Sequence, residues 1–297
     1  MPSHAVVAAG RTLALGARPW LMGIVNASPD SFSDAGAYPD LEARVGLARE
    51  LLAAGADILD VGGESGITLR PAVAVEEEIE RVVPLIERLV SELGAVVSVD
   101  TYKPAVAAAA VAAGAVIVND VSGLRDPALA DVCAATGAAL VLMHTRAAPK
   151  QRLQDPGCYE DVTADVIAFL AERMAVARSR GVREEQLILD PGPDFAKTPA
   201  QTIQLLGRLA ELHALGRPLL LAVSRKDFVG ALTGRGPRER GAGTLAAIAH
   251  GVDAGAHILR VHEVAAAADF LAVRAALRGE RAVDPGLALS DEIRHSR

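Results

Sequence analysis

The sequence predicts an α/β fold, a single domain built as a closed (β/α)8 barrel. Eight apolar runs recur along its 297 residues, at a spacing of about 34 residues that fits one strand, one helix and two turns. The segments between the runs show the 3.6-residue periodicity of helices. Every run also ends on a polar residue, and in a parallel barrel those strand ends converge on one mouth. The same pattern therefore predicts both the fold and the position of a binding site.

The eight apolar runs are the predicted strands. An open, doubly wound sheet is the alternative, but the steady spacing favours closure and no glycine-rich dinucleotide fingerprint follows the first run. The runs cover residues 21–26, 57–65, 95–100, 115–120, 139–144, 186–192, 218–226 and 257–262.

Helices are predicted between the strands from periodicity and from their terminal residues. The helix over 41–54 stops at Gly55, which suits the left-handed position after a helix, and the helix over 76–93 has acids in its first turn, where the helix dipole favours them. The third helix begins at Pro104, a favoured first residue. The remaining helices are predicted over 127–136, 165–180, 199–215, 241–255 and 263–278.

The chain divides into three predicted parts. Residues 1–20 are a lead-in, a short hairpin that closes the bottom of the barrel. Residues 21–280 form the barrel, and residues 281–297 form a polar tail that frays. Long polar loops follow the first, second and fifth strands, and such loops on a regular scaffold usually carry function.

Composition excludes several classes of protein. A formal charge of −7 and only 3% aromatic residues argue against binding a polyanion over the whole surface, so an anionic ligand needs a local cluster of basic residues. Cys133 and Cys158 match no metal or redox spacing, which predicts reduced thiols. Neither a signal peptide nor a run long enough to span a membrane is recognisable. We therefore expect a soluble, cytoplasmic protein.

The polar strand ends form a coherent set of chemical groups. They comprise carboxylates, two amides and a cluster of cations, whereas the Gly-x-Ser-x-Gly and His-Glu-x-x-His signatures of nucleophile and metalloprotease sites are absent. Such a set suits ligand positioning and the departure of a phosphorylated leaving group, aided by a divalent ion. The residues expected to ring one pocket are Asn26, Asp60, Asp100, Asn119, His144, Asp190, Lys226, Arg260 and His262.

On the first half of the chain each candidate has a structural alternative. Asn26 opens a polar loop that could ligate a hard cation through oxygens, or whose Asp and Ser residues only cap turns. The glycines of DVGGES (60–65) allow close approach of backbone to a ligand, or make a tight turn. Asp100 together with Asn119 could hydrogen-bond a heterocycle, although an Asp after a strand is often a helix cap.

On the second half the candidates are mainly charged. The carboxylate of Asp190 could accept two parallel hydrogen bonds from an amidine or guanidine edge. Arg225 and Lys226 lie near a predicted helix N-terminus, a natural place for an anion. Arg260 and His262 alternate along a strand and so share one face; the alternative for Arg260 is a salt bridge inside the barrel.

The motifs resemble those of the dihydropteroate synthase family from residue 22 to about residue 264. The matching strings are MGIVNASPDSFSDAG, DVGGES, SVDT followed by KP, VND, LMH, LDPG, SRK, GTLA and RVH, in that order. The resemblance implies a TIM barrel that joins 6-hydroxymethyl-7,8-dihydropterin pyrophosphate to p-aminobenzoate in folate synthesis, with release of pyrophosphate. It also implies a Mg²⁺ cofactor and a homodimer.

The resemblance implies a role for each site residue. Asn26 would face Mg²⁺ and the pyrophosphate, and Arg260 and His262 would clamp the pyrophosphate. The C9–O bond would break first, and Asp100 would stabilise the resulting pterin cation. The pterin ring itself would be held by Asp100, Asn119, Asp190 and Lys226.

The chain departs from the family pattern in three places, all on the acceptor side. Residues 66–69 lengthen the loop after GES, so that Thr68 and Arg70 replace the usual Thr-Arg pair only approximately. Residues 193–196 replace a glycine-rich run. Asp227 stands where a Ser is common, at the helix N-terminus where the aminobenzoate carboxylate binds. We expect Asp227 to satisfy that helix end itself and to repel an incoming carboxylate.

Two other functions compete with the synthase. One is a pterin-binding paralogue with a different acceptor or with no synthase activity. The other is a methyltetrahydrofolate-binding methyltransferase barrel, which explains the pterin groups but leaves the basic cluster of SRK and RVH without a purpose.

Overall fold

Eight parallel strands form the barrel that the sequence predicts. The computed structural model describes residues 4–16, 18–27, 40–64 and 71–295. The barrel strands are β3 (Trp20–Asn26), β4 (Ile58–Gly62), β5 (Val97–Asp100), β6 (Ile117–Asp120), β7 (Ala139–Met143), β8 (Leu187–Asp190), β9 (Leu220–Leu221) and β10 (Ile258–Val261).

The strand order closes the sheet into a cylinder. Strands β8 to β3 are neighbours in descending order, followed by β10 and β9. A parallel bridge between Leu189 and Leu219, supported by a 2.9 Å hydrogen bond from the Leu189 N–H to the Pro218 carbonyl, joins β8 to the chain entering β9. The predicted (β/α)8 fold is confirmed.

Helices separate the barrel strands and cover their outer faces. None in the described part of the chain is long and apolar enough to cross a membrane. The helices are α1 (Leu41–Ala53), α2 (Val75–Leu93), α3 (Pro104–Ala112), α4 (Ala128–Thr136), α5 (Val162–Ser179), α6 (Pro199–Gly207), α7 (Asp227–Thr233), α8 (Gly241–Asp253), α9 (Val264–Leu277) and α10 (Asp291–His295).

Two helices differ by more than two residues from the boundaries that periodicity predicts. Helix α5 begins at Val162 rather than at 165, because the Asp161 side chain accepts from the backbone N–H groups of Thr163 and Ala164 and so caps an earlier start. The segment predicted as one helix over 199–215 is α6 followed by a 3₁₀ turn at Leu209–Leu215.

An antiparallel hairpin of β1 (His4–Ala8) and β2 (Arg11–Leu15) closes the N-terminal end of the barrel. Its inward residues belong to the same buried cluster as the side chains that fill the barrel. The Ala9 N–H also donates to the Gly137 carbonyl at 2.7 Å. The members of this cluster include Val6, Ala8, Leu13, Leu15, Met22, Ile58, Ile117, Val141, Ile188, Leu220 and Ile258.

Helix α2 packs unusually close to the end of β4. A Cβ at Gly63 would lie 2.7 Å from Glu78 Cγ and 2.8 Å from Val82 Cγ1, and real side chains do not approach so closely. The second glycine of DVGGES is therefore required by helix packing, which accounts for it without a ligand.

Candidate functional site

A cavity of about 480 Å³ opens at the C-terminal ends of the barrel strands. It contains most of the polar strand ends picked out from the sequence. The predicted residues that line it are Asn26, Asp100, Asn119, Asp190, Lys226, Arg260 and His262.

Two residues expected to ring the pocket lie elsewhere. His144 follows Met143 and precedes Thr145, which both line the cavity, and alternation turns its side chain the other way. Its Nε2 lies 3.1 Å from Asp165 Oδ1 on α5. Asp60 is fully buried behind the cavity wall. The expectation that these two side chains face the pocket is wrong.

Arg260 connects a carboxylate of the cavity wall, Asp100, to the buried carboxylate of Asp60 behind it. Its Nε donates to Asp60 Oδ2 at 2.7 Å and its Nη2 to Asp100 Oδ2 at 2.8 Å. Asp60 Oδ2 also accepts from Asn119 Nδ2 at 3.1 Å. Arg260 therefore forms the intrabarrel salt bridge considered as its alternative, yet it still lines the cavity.

Burial raises the pKa of Asp100 to about 7; Arg260 lowers it and the nearby Asp60 raises it further. The side chain is 23% exposed, and that exposure is to the cavity that Asp100 lines. Asp100 therefore titrates close to neutral pH, where a ligand's charge can decide its protonation.

Asp190 and Lys226 form a second polar group in the wall. Asp190 is nearly buried, and its Oδ1 accepts from the Gly192 N–H at 2.7 Å. Burial raises the pKa of Asp190. The Lys226 Nζ lies 4.2 Å from the centre of the Phe195 ring, a favourable cation–π arrangement. Burial lowers the pKa of Lys226, whereas Asp194 and Asp190 raise it.

A fully buried lysine that sequence reasoning missed holds the turn after β8. The Nζ of Lys197 contacts His144 Nδ1 at 2.8 Å and donates to the carbonyls of Gly192 and Phe195 at 2.9 and 3.0 Å. An ammonium has three donors, and all three are used. The string DFAK contained this lysine, but no sequence pattern indicated its three acceptors.

Burial lowers the pKa of His144 to about 2, so the ring is neutral. The ammonium form of Lys197 can only donate, so in that form Nδ1 of His144 accepts and its Nε2–H donates to Asp165. Burial also lowers the pKa of Lys197 to about 7. The chain Asp165–His144–Lys197 thus links α5 to the turn that carries Phe195.

The SRK turn is fixed by contacts with neighbouring elements. Arg225 has φ +57°, its N–H donates to Thr244 Oγ1 at 3.0 Å, and its Nη2 donates to Glu263 Oε1 at 2.9 Å. His262 Nδ1 lies 2.9 Å from Ser224 Oγ. These bonds fix Arg225 and His262, which both line the cavity.

Glu64 of DVGGES connects three loops at the cavity edge. Its carboxylate accepts from Lys103 Nζ at 2.8 Å and from the Val73 N–H at 2.8 Å, and it lies 3.0 Å from Lys150 Nζ. Burial raises its pKa, but these three partners outweigh burial and lower it below the usual value. Glu64 is therefore ionised, and it ties the loops after β4, β5 and β7 together.

Asn26 is the one predicted metal ligand. It is half-buried at the end of β3 and lines the cavity. No group of three or more His, Cys, Asp or Glu residues able to hold a metal occurs in the described ranges. Mg²⁺ commonly takes one or two protein oxygens and completes its shell with substrate phosphates and water. A single amide oxygen in the same cavity as Arg260 and His262 fits that mode.

Two predicted residues cannot be placed. Thr68 and Arg70 lie outside the described residues, as does the lengthened segment 66–69.

Comparison with known proteins agrees with this geometry. A model of the family described as pterin binding enzyme matches residues 22–262. The dihydropteroate synthase of Bacillus subtilis (strain 168) is 43% identical over 245 residues, covering 82% of this chain and 83% of that protein. The Escherichia coli (strain K12) dihydropteroate synthase is 42% identical over 246 residues, covering 83% and 87%.

The chain belongs to the dihydropteroate synthase family. It is accordingly a transferase of folate biosynthesis, and the resemblance seen in the motifs is confirmed.

Solved structures of dihydropteroate synthases have the same fold. The Xanthomonas albilineans enzyme with 4-aminobenzoic acid superposes with a TM-score of 0.85 at 46% identity, covering 93% of this chain and 98% of that one. The same enzyme in complex with 7,8-dihydropteroate gives 0.82 at 45% identity, covering 92% and 98%. Because these relatives are synthases, the methyltransferase alternative is no longer needed.

One departure from the dihydropteroate synthase pattern behaves differently from expectation. Asp227 has a side chain that is 63% exposed and paired with Arg240 Nη1 at 3.0 Å. It does not satisfy the start of α7, where the Phe228 N–H donates to Asp194 Oδ2 at 3.1 Å instead. Asp227 is itself the first residue of α7, whereas Asp194 reaches the helix from the turn after β8. The expectation for Asp227 at the helix end is therefore wrong.

Proposed function

We propose that the chain condenses 6-hydroxymethyl-7,8-dihydropterin pyrophosphate with p-aminobenzoate to form dihydropteroate and pyrophosphate. The observation that carries this proposal is that Asp100, Asn119 and Asp190 line one cavity. Lys226 and Arg260 line the same cavity. Acceptors for a pterin and cations for a pyrophosphate lie side by side there.

The polar wall groups suit a pterin ring. A pterin presents an amino group and ring N–H donors on one edge, which a carboxylate such as Asp190 can accept in parallel. Asn119 offers both a donor and an acceptor, and its Nδ2 is already fixed on Asp60. Lys226 is a donor for the ring oxygen or nitrogen acceptors.

The reaction separates charge, and the wall residues match the separated charges. As the C9–O bond breaks, its electron pair goes to the departing pyrophosphate and positive charge develops on the pterin carbon. The Asp100 carboxylate stabilises that carbon, while Arg260 and His262 stabilise the leaving group. The aryl amine then bonds to C9 and loses a proton. An aryl amine is already a nucleophile, so no strong base is required.

A Mg²⁺ ion is part of the proposal. Asn26 would hold it, and the bound ion would neutralise charge on the pyrophosphate.

The assembly and location are also proposals. A homodimer is supported by exposed apolar side chains on α9, Val273 at 60% and Leu277 at 84% exposure, because exposed apolar surface often marks a protein contact. Sedimentation would measure the dimer. A cytoplasmic location is supported by the two cysteines, which are free thiols.

The proposed reaction is tested by identifying dihydropteroate by mass after incubation with both substrates and Mg²⁺. Asp190→Asn should lower kcat/KM for the pterin substrate by at least about 100-fold, since it replaces an acceptor with a donor in a buried site. Asp253→Asn, an exposed change at the far end of α8, is the control and should retain activity. A paralogue without synthase activity would bind the pterin and form no product.

A further inference from the structure

Asp194 occupies a fixed position in the wall of the cavity. It lies beside Phe195 and close to Lys226 and Asp227, which line the same region. Its backbone has φ +64°, a conformation that costs a non-glycine residue energy and persists only where its surroundings impose it. The surrounding contacts supply that constraint.

Three hydrogen bonds hold the Asp194 residue. Its N–H donates to Thr202 Oγ1 at 3.0 Å, and the Thr202 oxygen lies 3.0 Å from Asp194 Oδ1. Its other oxygen, Oδ2, accepts from the Phe228 N–H at 3.1 Å. The carboxylate therefore cannot swing into solvent without losing contacts to both α6 and α7.

A fixed carboxylate here has two consequences for a ligand. It uses the Phe228 N–H, a donor that would otherwise be available at the start of α7. It also places a negative charge beside Lys226 that repels a second carboxylate in the cavity.

The neighbouring Asp227 lacks these features. It is mostly exposed, and Arg240 neutralises it. Charge on an exposed, paired group is screened by solvent and by its partner, so its influence inside the cavity is weaker.

We propose that Asp194 determines acceptor specificity: its fixed carboxylate lowers the preference for an anionic aryl amine and shifts the site toward neutral aryl amines. The inference rests on the proposed function, because it concerns the second substrate of that reaction. The roles proposed above for the pterin-binding residues stay the same.

The test compares two acceptors of similar shape, p-aminobenzoate and the neutral 4-aminobenzamide, with the pterin pyrophosphate held saturating. The measured quantity is the ratio of their kcat/KM values from pyrophosphate release. Asp194→Asn keeps an oxygen that can accept from Phe228 but removes the charge. It should raise the ratio in favour of p-aminobenzoate about fivefold, the order expected for one partly screened charge.

Two further variants make the result specific. Asp227→Asn removes the charge of a residue that lies near Asp194 in space, and it should change the ratio less than about twofold. Asp194→Gly suits the positive φ, frees the Phe228 N–H and should raise the ratio more than Asp194→Asn does. Thermal unfolding checks that each variant is folded.

The outcomes separate this inference from the proposed function. If Asp194→Asn leaves the ratio unchanged, or Asp227→Asn has the larger effect, the assignment to Asp194 is overturned while the synthase activity stands. If neither amine supports pyrophosphate release in the wild-type chain, the proposed function fails, and this inference fails with it.

Discussion

The residues that are proposed to bind substrate also hold the wall of the barrel together. Arg260 pairs with Asp60 and Asp100, which precede it by 200 and 160 residues. The strand-end pattern could predict that such residues meet at the mouth, since parallel strands end on one side. It could not predict which carboxylate pairs with which cation, because that depends on strand order and side-chain rotamers.

The pH dependence of activity should follow the titration of the Asp100 carboxyl. Its pKa is raised to about 7 by burial and, in part, by Asp60, and the carboxylate is the form proposed to stabilise the pterin cation. We expect kcat/KM for the pterin substrate to fall as the pH drops below about 7. Asp60→Asn removes the neighbouring negative charge, so it should move this acid limb to lower pH. A limb that stays in place or moves upward would contradict the assignment.

The raised pKa of Asp100 also determines how the free energy of unfolding depends on pH. The folded state holds the proton of Asp100 more tightly than the unfolded chain does, whose carboxyl has a pKa near 3.8. The contribution of Asp100 to stability is therefore fully present below about 3.8 and is lost as the pH rises through about 7. Asp100→Asn should flatten this part of the dependence of the unfolding free energy on pH, as measured by urea titration.

Two lysines near the cavity should separate stability from catalysis. Lys197→Met leaves His144 Nδ1 and two backbone carbonyls without a donor, and should lower the free energy of unfolding by about 3 kcal/mol. Lys226→Met removes a group that faces the cavity, and should reduce kcat/KM with little loss of stability. Denaturant titration and steady-state kinetics on both variants measure the two effects. Equal stability losses would contradict the assignment.

At the scale of elements, local sequence signals predicted most helices and their residue limits. The differences come from single tertiary or capping contacts, as when Asp161 starts α5 three residues early. The side-chain direction of His144 was wrong because polar endings were grouped by position in the chain, without the alternation that turns every second side chain outward. The role of Asp194 depends on a contact between the turn after β8 and α7, which no local pattern contains.

Two glycine-to-alanine substitutions should have opposite effects on stability, because the end of β4 is packed closely against α2 and the surface of α1 is not. Gly63→Ala would force α2 away from the strand and disturb the Glu78–Lys103 ion pair, so it should destabilise the fold by about 2 kcal/mol. Gly46→Ala, inside α1 with nothing within 4 Å of the added Cβ, should stabilise it by about 0.5–1 kcal/mol. Thermal unfolding compares the two, and a neutral Gly63→Ala would contradict the packing argument.

At the scale of the molecule, regular spacing was enough to predict the barrel, because closure needs little more than eight similar units. The acceptor side could not be predicted as well, because it is built from loops that depart from the family. The N-terminal hairpin shows a further whole-molecule property: its side chains share the core that fills the barrel.

Removing each end of the chain should therefore have different consequences. A chain without residues 1–16 exposes Met22, Ile58 and Ile188 at the bottom of the barrel, and should unfold at a much lower temperature or aggregate. A chain without residues 283–297 loses a segment whose described side chains are exposed, so its Tm should change by only a few degrees, about the scale of 1 kcal/mol. Similar Tm losses in both truncations would contradict this account of the hairpin.

The central claim is that the cavity at the strand ends transfers a pterin from pyrophosphate to an aryl amine. Its most direct test is the release of pyrophosphate from 6-hydroxymethyl-7,8-dihydropterin pyrophosphate, measured with and without p-aminobenzoate. We expect release that depends on p-aminobenzoate, is matched one-for-one by dihydropteroate, and is lost in Asp190→Asn. Tight binding of the pterin with no release dependent on p-aminobenzoate would contradict it.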